Sequence, residues 1–424
     1  MGSDCCGSSV CSGCVGRHRA ESIPISLLLK TWAEQPCFSV LDGQVPSSPI
    51  PLSHWATAFA ENWAALRSAT QLASLGIEQL DGLPQFKADL QSVQVGDRNL
   101  RTRRYLLALD AARPTPPLPG MLTPPQLLEQ LGQSEVALLN PVVILGEGPT
   151  ALSLSHCLAG LHHQVTLISS HAHLLPKEDA EAALWVQAHL EAKGVTLSTN
   201  TAIQAIHPLP SQGQELITSK GKIKAKTLVW AAEPSLTSYS WLPAQLRYTS
   251  QKLWVNAQLQ TSQACIYACG SVLGGYTLPD LAEHEAKIAL ENALTSSKVQ
   301  VHYNSVPWVI WTDPPLARVG LTEAQARAQY GDILVLQGSG SGLAGAQFQA
   351  SYDGWCKLVL LPKGQILGAY LMGIAAAETI QVIALVMRQQ GRITDLPTYI
   401  SASYTAILAQ MVDQWHNLHP RQRV

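Results

Sequence analysis

The stretch PVVILGEGPTALSLSHCLAGLHHQVTLISS, residues 141–170, contains the pattern that decides the fold. The apolar run 142–145 predicts a buried strand, and the residues after Pro149 predict a helix followed by a second strand. Gly146, Gly148 and Ala151 stand between the first strand and the helix with the spacing G-x-G-x-x-A. The stretch therefore predicts a βαβ unit with a tight glycine turn.

That glycine turn has the features of a dinucleotide site. The first glycine makes the turn, the second lets a pyrophosphate approach the backbone, and the small third residue lets helix and strand pack closely. The N–H groups at the start of the helix then face the phosphates. We interpret the spacing as a sign of nucleotide-binding ancestry, and the alternative is a plain βαβ turn.

The residues after the second strand leave the choice of cofactor open. About 20 residues past such a turn, an acid usually binds the ribose 2′-hydroxyl of NAD, whereas arginine favours the 2′-phosphate of NADP. Here the sequence has Ser169, Ser170 and His171. Since a serine hydroxyl hydrogen-bonds either form of the sugar, Ser169 is a candidate ligand without a preference.

A second glycine-rich stretch, IYACGSVLGGY at residues 266–276, also combines a strand with a glycine turn. It predicts a buried strand that stops at Gly270, and then a Gly274–Gly275 pair where backbone can lie close to a ligand. The side chain placed to hold such a ligand is Ser271, which is not an acid.

Composition narrows the class of protein. The chain has 424 residues, 46% hydrophobic and 14% charged, with a net charge of -2. This length predicts two or three globular domains, and the absence of a basic surplus argues against a nucleic-acid partner. The longest apolar stretch, 366–388, is interrupted by Glu378 and Gln381 and predicts a strand, turn and helix rather than a membrane span. With no visible secretory signal, we expect a soluble, cytoplasmic protein without membrane contact.

Other segments give the organisation of the chain. The residues 52–76 have helical spacing, and 90–110 predict a hairpin leading to a buried strand. The proline-rich stretch 112–126 argues against helix or central strand and predicts an extended connection. A further helix is expected to end at Gly194, another is expected to follow Tyr276, and the change of pattern near residue 300 predicts a domain boundary.

Four stretches carry a resemblance to a known family: PVVILGEGPTA, IYACGSVLGGYTLPDLAEHEAKIALENAL, VPWVIWTDPPLARVGLTEAQA and GWCKLVLLPKGQILGAYLMGIAAAETIQVIALVM. Over residues 100–424 the chain resembles the class I pyridine nucleotide-disulfide oxidoreductases, the class of mercuric reductase and dihydrolipoamide dehydrogenase. The resemblance implies an α/β fold with two Rossmann-like nucleotide-binding domains, the first reduced, plus a C-terminal α+β dimerisation domain, and hence a homodimer.

The domain limits expected from this resemblance are a cysteine-rich N-terminal segment 1–22, a reduced FAD-type domain 23–135 completed by 262–300, an NAD(P)-binding domain 136–261 and a dimerisation domain 301–424. The resemblance also implies that FAD is the first cofactor and NAD(P) the second.

The FAD features of the family are altered in this sequence. The segment nearest to the family's first glycine turn, VGRHRAES, has His18 and Glu21 where glycines are needed. Asp42 is the candidate for the ribose-binding acid. The ribityl-binding aspartate of the family is replaced by Ser271, whose hydroxyl lacks the strength of a charge-assisted hydrogen bond. We therefore predict a degenerate FAD site.

The catalytic features of the family are altered as well. The only C-x4-C pair, Cys6 and Cys11, comes too early in the chain to be the redox disulfide. Ser153 stands in place of the family's glutamate near the nicotinamide, and Ser401 and Leu408 stand in place of its His and Glu acid–base pair. Neither Ser401 nor Leu408 transfers protons near neutral pH, so we assign no catalytic residue.

The N-terminal cysteines have two interpretations. Cys5, Cys6, Cys11 and Cys14 are candidate ligands of zinc or an iron–sulfur cluster, because the C-x2-C spacing of the last two places two thiolates on one ion. The flanking Gly and Ser residues instead favour a flexible tail. The scattered cysteines elsewhere are expected to be reduced core residues.

Three functions follow from these observations. The first is a family member that lacks disulfide reductase activity and retains NAD(P) binding. The second is an active FAD-dependent NAD(P)H oxidoreductase of the diaphorase type, which needs no cysteine pair. The third is a thiol or metal sensor that uses the N-terminal cysteines.

Overall fold

The computed structural model describes residues 8–11, 68–87, 90, 92–109, 116–117, 119–133, 140–209, 213–233, 242–249, 252–276, 278–348, 354–400 and 402–419. The described residues form two compact units. Unit 1 is drawn from Met1–Leu138 and Ala232–Val301, and unit 2 from Leu139–Ala231 and His302–Val424. The domain limits expected from the sequence stay predictions.

The helices and strands are named in chain order. The helices are α1 (Ala69–Ser74), α2 (Pro124–Gln133), α3 (Pro149–Gly160), α4 (Ala180–Ala192), α5 (Pro279–Leu294), α6 (Glu323–Tyr330), α7 (Ala344–Phe348), α8 (Ala376–Arg388) and α9 (Ala406–Leu418). The strands before residue 231 are β1 (Ser8–Cys11), β2 (Ile77–Leu80), β3 (Pro84–Phe86), β4 (Ser92–Val95), β5 (Arg98–Arg101), β6 (Tyr105–Ala108), β7 (Val142–Leu145), β8 (Val165–Ile168), β9 (Thr196–Ser198), β10 (Ile203–Leu209), β11 (Gly213–Thr218), β12 (Gly221–Ala225) and β13 (Thr227–Trp230). The later strands are β14 (Ile266–Cys269), β15 (Trp308–Ile310), β16 (Leu316–Gly320), β17 (Leu334–Ser339), β18 (Trp355–Leu360) and β19 (Ile366–Met372).

Unit 2 contains the parallel sheet that carries the glycine turn. Its strand order is β13-β7-β8-β9, and all of its pairings are parallel. Every residue of β7 is buried, as expected for an interior strand covered on both faces. The predicted βαβ unit is confirmed as β7, α3 and β8.

Local sequence signals explain where the helices of unit 2 begin and end. The Asp179 carboxylate caps α4 by accepting the N–H of Glu181 at 3.1 Å, and Gly194 follows the helix with a φ of 88°. Thr322 and Gln325 form a reciprocal capping box at the start of α6. The predicted end of a helix at Gly194 is therefore confirmed.

Unit 2 also contains a five-stranded antiparallel sheet with the order β15-β16-β19-β18-β17. The strand β19 is buried along its whole length, and α8 and α9 pack on the sheet through a shared apolar core. The predicted strand, turn and helix over 366–388 are confirmed as β19 and α8. A three-stranded antiparallel sheet of β10, β11 and β12 connects α4 and β9 to β13.

Unit 1 is built around β6 and β14, which pair in parallel. The hairpin of β4 and β5 precedes β6, as the sequence predicts, and α5 packs against β14 and β6. The apolar residues around these strands, among them Leu107, Leu109 and Ile266, form the described core of unit 1.

Two expectations about unit 1 are wrong. Pro124 and Pro125 do not exclude a helix, since they begin α2, where a first-turn proline removes an N–H that has no helical partner. Ser8–Cys11 form β1, which pairs in parallel with β2, so these four residues are not a flexible tail. The helix predicted over 52–76 lies largely outside the described residues, which include its end as α1.

A buried ion cluster joins α4 to the five-stranded sheet within unit 2. The Lys357 ammonium, on β18, lies 3.0 Å from the Asp179 carboxylate, 3.1 Å from that of Glu181 and 2.8 Å from that of Glu323. The Lys357 side chain is 3% exposed. Burial acts to lower the pKa of Lys357, but its hydrogen bonds to the three carboxylates outweigh burial, so the pKa is raised and the cation persists.

A second buried pair stands beside this cluster. Arg318 on β16 donates to the Glu178 carboxylate at 2.5 Å, and the Tyr370 hydroxyl on β19 donates to the same oxygen at 3.1 Å. The Asp179 N–H in turn donates to the Tyr370 hydroxyl at 3.3 Å. Three strands of the sheet therefore hold the start of α4 by charged and polar contacts.

Replacing Lys357 with Met is expected to destabilise the protein strongly. Methionine keeps the length of the side chain but leaves the buried Asp179 carboxylate without its cation, which costs about 3–5 kcal/mol in the free energy of unfolding. The measurement is denaturant unfolding followed by circular dichroism.

The matched control is Lys287→Met on α5. The Lys287 ammonium lies 2.7 Å from Glu283, and the two side chains are 73% and 62% exposed. Loss of such a surface pair costs less than about 1 kcal/mol. Equal destabilisation by the two variants would show that the Lys357 cluster contributes no more than a surface pair.

Among the described residues, none of the helices is both long enough and apolar enough to span a bilayer.

Candidate functional site

The turn after β7 is held by a contact that requires glycine. Gly146 has a φ of 154°, and a Cβ built on it would lie 2.6 Å from the Ala231 carbonyl oxygen and 3.0 Å from the Ala151 Cβ. Its N–H donates to the Ile168 carbonyl at 3.0 Å. The turn is therefore packed between the ends of β13 and β8 and the first turn of α3.

The start of α3 supplies backbone donors at the turn. Gly148 is the N-cap residue with φ of -92° and ψ of 179°, no side chain caps the helix, and Pro149 occupies the first turn. The first N–H groups of a helix have no partner inside it and carry the positive end of the helix dipole. Ala151 is fully buried beneath the turn. Gly148 and Ala151 therefore lie where the sequence predicts them.

Ser169 lies directly after β8, and the structure brings it to the turn. Its hydroxyl lies 3.3 Å from the Glu147 carboxylate, and it accepts the N–H of His171 at 3.0 Å. The other carboxylate oxygen of Glu147 lies 3.1 Å from Nδ1 of His171. The turn and the end of β8 therefore form one small polar cluster.

Glu147 is the residue of this cluster that the sequence interpretation missed. It fills a variable position of the G-x-G-x-x-A pattern, so the motif gives no reason to select it. The sequence feature that could have selected Glu147 is an acid inside the turn together with the lack of an acid directly after the second strand. Only the pairing of β7 with β8 shows that the two places are neighbours.

The second glycine turn, in unit 1, begins where β14 ends. Gly270 has a φ of 93°, and a Cβ there would lie 2.9 Å from the Leu109 carbonyl oxygen. The Gly270 N–H donates to the Glu285 carboxylate at 2.8 Å, and Glu285 on α5 is buried. Ser271 then begins a short 3-10 turn that ends before Gly274. The predicted strand and its stop at Gly270 are confirmed, and close packing against the chain after β6 explains this glycine.

Ser153 and Leu408, which the resemblance places at two functional positions of the family, are both buried. Ser153 on α3 is 7% exposed. Leu408 on α9 is 0% exposed and belongs to the apolar core between α9 and the five-stranded sheet.

Burial raises the pKa of Cys356 in this core to about 12, so this thiol is not an activated nucleophile.

Several candidate residues lie outside the described residues: His18, Glu21, Asp42, Ser401 and the cysteines Cys5, Cys6 and Cys14. Cys11 ends β1, and its side chain is not described. Within the described ranges, no group of three or more His, Cys, Asp or Glu side chains is arranged to hold a metal ion. The four described cysteines, Cys157, Cys265, Cys269 and Cys356, form no disulfide, and the last two are buried as expected.

Comparison with protein families agrees with this geometry. Residues 30–305 match the family described as pyridine nucleotide-disulphide oxidoreductase, and residues 306–406 match the dimerisation domain of the same family. The chain belongs to the pyridine nucleotide-disulfide oxidoreductase family. It is of the class I type, whose members generally bind FAD and NAD(P), so the resemblance found in the sequence is confirmed.

Individual members of the family are similar over part of their length. Dihydrolipoyl dehydrogenase of Bacillus subtilis is 30% identical over 266 residues, which cover 61% of this chain and 57% of that protein. Mercuric reductase of Staphylococcus aureus is 26% identical over 332 residues, covering 76% of this chain and 60% of that protein. The chain thus spans 57% and 60% of the lengths of these two family members.

Solved structures of the family share the fold. The HOCl-induced flavoprotein disulfide reductase RclA from Escherichia coli superposes with a TM-score of 0.77 at 21% identity, covering 94% of this chain and 90% of that one. LpdA from Mycobacterium tuberculosis gives a TM-score of 0.77 at 19% identity, covering 96% and 93%. The predicted α/β fold class with a C-terminal dimerisation domain is confirmed, and the structural neighbours are FAD/NAD-binding disulfide oxidoreductases.

The turn glycine of this family member can be tested by substitution. Gly146→Ala is expected to destabilise the chain by about 1–3 kcal/mol, because the new Cβ collides with the Ala231 carbonyl and the backbone conformation is strained for alanine. Thermal or denaturant unfolding measures the change.

Gly160→Ala, in the last residue of the same helix, is the control. No atom lies within 4 Å of a Cβ built there. Alanine also favours helix over glycine, so this variant should be neutral or more stable by up to about 1 kcal/mol. A Gly146→Ala variant as stable as Gly160→Ala would contradict the packing described for the turn.

Proposed function

We propose that this family member binds a nicotinamide dinucleotide at the turn after β7 and lacks disulfide reductase activity. The observation that carries the proposal is the turn itself. Gly146 is required by the packing of β13, Gly148 adds no side chain of its own at the helix start, and Ala151 is buried beneath it. These are the three roles that a dinucleotide turn needs at its three small residues.

The residues that would hold the dinucleotide follow from this geometry. The first N–H groups of α3, on Gly148, Thr150 and Ala151, have no partner inside the helix, and the dipole of this twelve-residue helix favours the negative charge of a pyrophosphate. Ser169 stands at the end of β8, where the fold places the ribose. A bound nicotinamide dinucleotide supplies hydride chemistry, and the residues named here bind and orient it.

The proposed loss of disulfide reductase activity is supported by Leu408. An acid–base residue must contact the reacting thiol or an ordered water molecule, but Leu408 is enclosed in the apolar core with Ile407 and Met411. The leucine has no ionisable group, and its surroundings would penalise one. Ser153 likewise replaces a carboxylate by a hydroxyl in the buried part of α3.

Weakened FAD binding is part of the same proposal. Where the resemblance places a ribityl-binding aspartate, the end of β14 has Ser271, and the nearby Glu285 carboxylate accepts the N–H of Gly270. A second candidate function, an FAD-dependent NAD(P)H oxidoreductase, is favoured by the preserved glycine stop of β14. That function needs flavin but no disulfide.

A homodimer is proposed from the match of residues 306–406 to the dimerisation domain. In this part of unit 2 several large apolar side chains are exposed, which is typical of a surface that a partner covers. They are Ile374, Leu385, Tyr399 and Ile400.

Dinucleotide binding is tested with Gly148→Val. The φ and ψ of Gly148 suit any residue, so valine does not strain the backbone there, while its side chain blocks the approach of the pyrophosphate; circular dichroism verifies that the variant is folded. Isothermal titration of the purified chain with NADH and NADPH should show saturable binding to the unaltered protein and at least about tenfold weaker binding to the variant. Gly160→Ala should bind as the unaltered protein does. Equal binding by Gly148→Val would remove the turn from the site.

The two candidate functions are separated by flavin and turnover. We expect the purified protein, incubated with excess FAD and desalted, to retain less than a stoichiometric amount by visible absorption, and to give no NAD(P)H-dependent reduction of a disulfide. Stoichiometric flavin with reduction of an artificial electron acceptor would support the oxidoreductase of the second candidate. Reduction of a disulfide would overturn the first.

A further inference from the structure

A carboxylate of the turn lies at the place where this fold recognises the ribose of the dinucleotide. Glu147 stands between the two glycines, and its side chain crosses from the end of β7 to the end of β8. There one oxygen is 3.3 Å from the Ser169 hydroxyl and the other is 3.1 Å from Nδ1 of His171. In the doubly wound fold, the acid that binds the ribose 2′-hydroxyl follows the second strand, and here that strand is β8.

The segment after β8 is fixed in the position that allows these contacts. Ser169 is 1% exposed, and its N–H donates to the Ser198 carbonyl at 3.0 Å. The His171 carbonyl accepts the N–H of Asn200 at 2.7 Å. The backbone of Glu147 is also held, because its carbonyl accepts the N–H of Leu175 at 2.9 Å. Backbone hydrogen bonds therefore fix both the segment 169–171 and Glu147, whose side chain contacts that segment.

The carboxylate remains accessible to a ligand. The Glu147 side chain is 28% exposed, whereas the Ser169 hydroxyl lies beneath it. A carboxylate has about four lone-pair sites, so the contacts to Ser169 and His171 leave capacity to accept further hydrogen bonds. A sugar hydroxyl placed at the end of β8 would thus meet an acceptor.

The chemistry of this acceptor distinguishes the two nicotinamide dinucleotides. NAD has a ribose 2′-hydroxyl, which donates to a carboxylate in a charge-assisted hydrogen bond. NADP has a 2′-phosphate, which carries only acceptor oxygens and a negative charge at neutral pH, so the same carboxylate repels it. His171, the basic group at this place, already has its Nδ1 against Glu147.

We infer that Glu147 acts as the ribose-binding acid from within the turn and makes the site selective for NAD(H) over NADP(H). The inference rests on the proposed dinucleotide binding. It also explains how the segment 169–171 functions without the acid that the fold usually has there.

The test is the binding of NADH and NADPH to the purified full chain, measured by isothermal titration. The unaltered protein should bind NADH at least about tenfold more tightly than NADPH, as expected for one charge-assisted hydrogen bond gained or lost. Glu147→Gln keeps the shape of the side chain and removes its charge. This variant should bind NADH about tenfold more weakly and prefer neither dinucleotide.

Glu191→Gln is the matched control. Glu191 is an exposed residue on α4 in the same unit, and its substitution changes the net charge by the same amount. This variant should keep both affinities and their ratio. A change in ratio equal to that of Glu147→Gln would mean that overall charge, and not Glu147, sets the preference.

A second measurement on the unaltered protein needs no variant. ADP-ribose should displace NADH at least about tenfold better than 2′-phospho-ADP-ribose. Equal binding of NADH and NADPH, or an unchanged ratio in a folded Glu147→Gln variant, would overturn the inference and leave the proposed function intact. Absence of saturable binding of either dinucleotide would overturn both.

Discussion

The carbonyl oxygen of Ala231 occupies the space that the Cβ of any other residue at position 146 would need. Gly146 and Ala231 follow two neighbouring parallel strands, β7 and β13, and Ala151 fills the third side of the contact. This close packing sets the direction in which the chain enters α3, and so fixes where the donors of the helix start point. In doubly wound sheets, ligands bind beyond the carboxyl ends of the strands where the order of the strands reverses, and β7 and β13 form that place here.

The helix that follows β8 is held by electrostatics rather than by apolar packing alone. The start of α4 presents Glu178, Asp179 and Glu181 to Arg318, Lys357 and Tyr370 of the five-stranded sheet. Burial raises the pKa of the Glu178 carboxyl, although Arg318 and Tyr370 act to lower it. Buried ion pairs gain little net stability over apolar packing, but they have one favourable geometry, so the register between α4 and the sheet is well defined.

The two glycine turns show how the family fold separates architecture from chemistry. Both keep the glycine that the backbone needs, at Gly146 and at Gly270. Ser271 follows β14, and Leu408 lies in the core of the C-terminal sheet. Backbone packing constrains the glycines whatever the chemistry of the site, so the fold persists independently of which polar residues lie around the turns.

The sequence by itself determined the elements that depend on local periodicity and on special backbone positions: the βαβ unit around Gly146, the strand ending at Gly270, the helix ending at Gly194, and the family. It failed at Pro124, where two prolines begin a helix, because proline is compatible with a first turn and the sequence alone does not show which side of the prolines is helical. Only the tertiary structure decided that Glu147 meets Ser169 and His171, and that Lys357 meets Asp179 across 178 residues of chain. Such contacts depend on which distant strands become neighbours in a sheet, and the residues of one strand alone do not show which strand lies beside it.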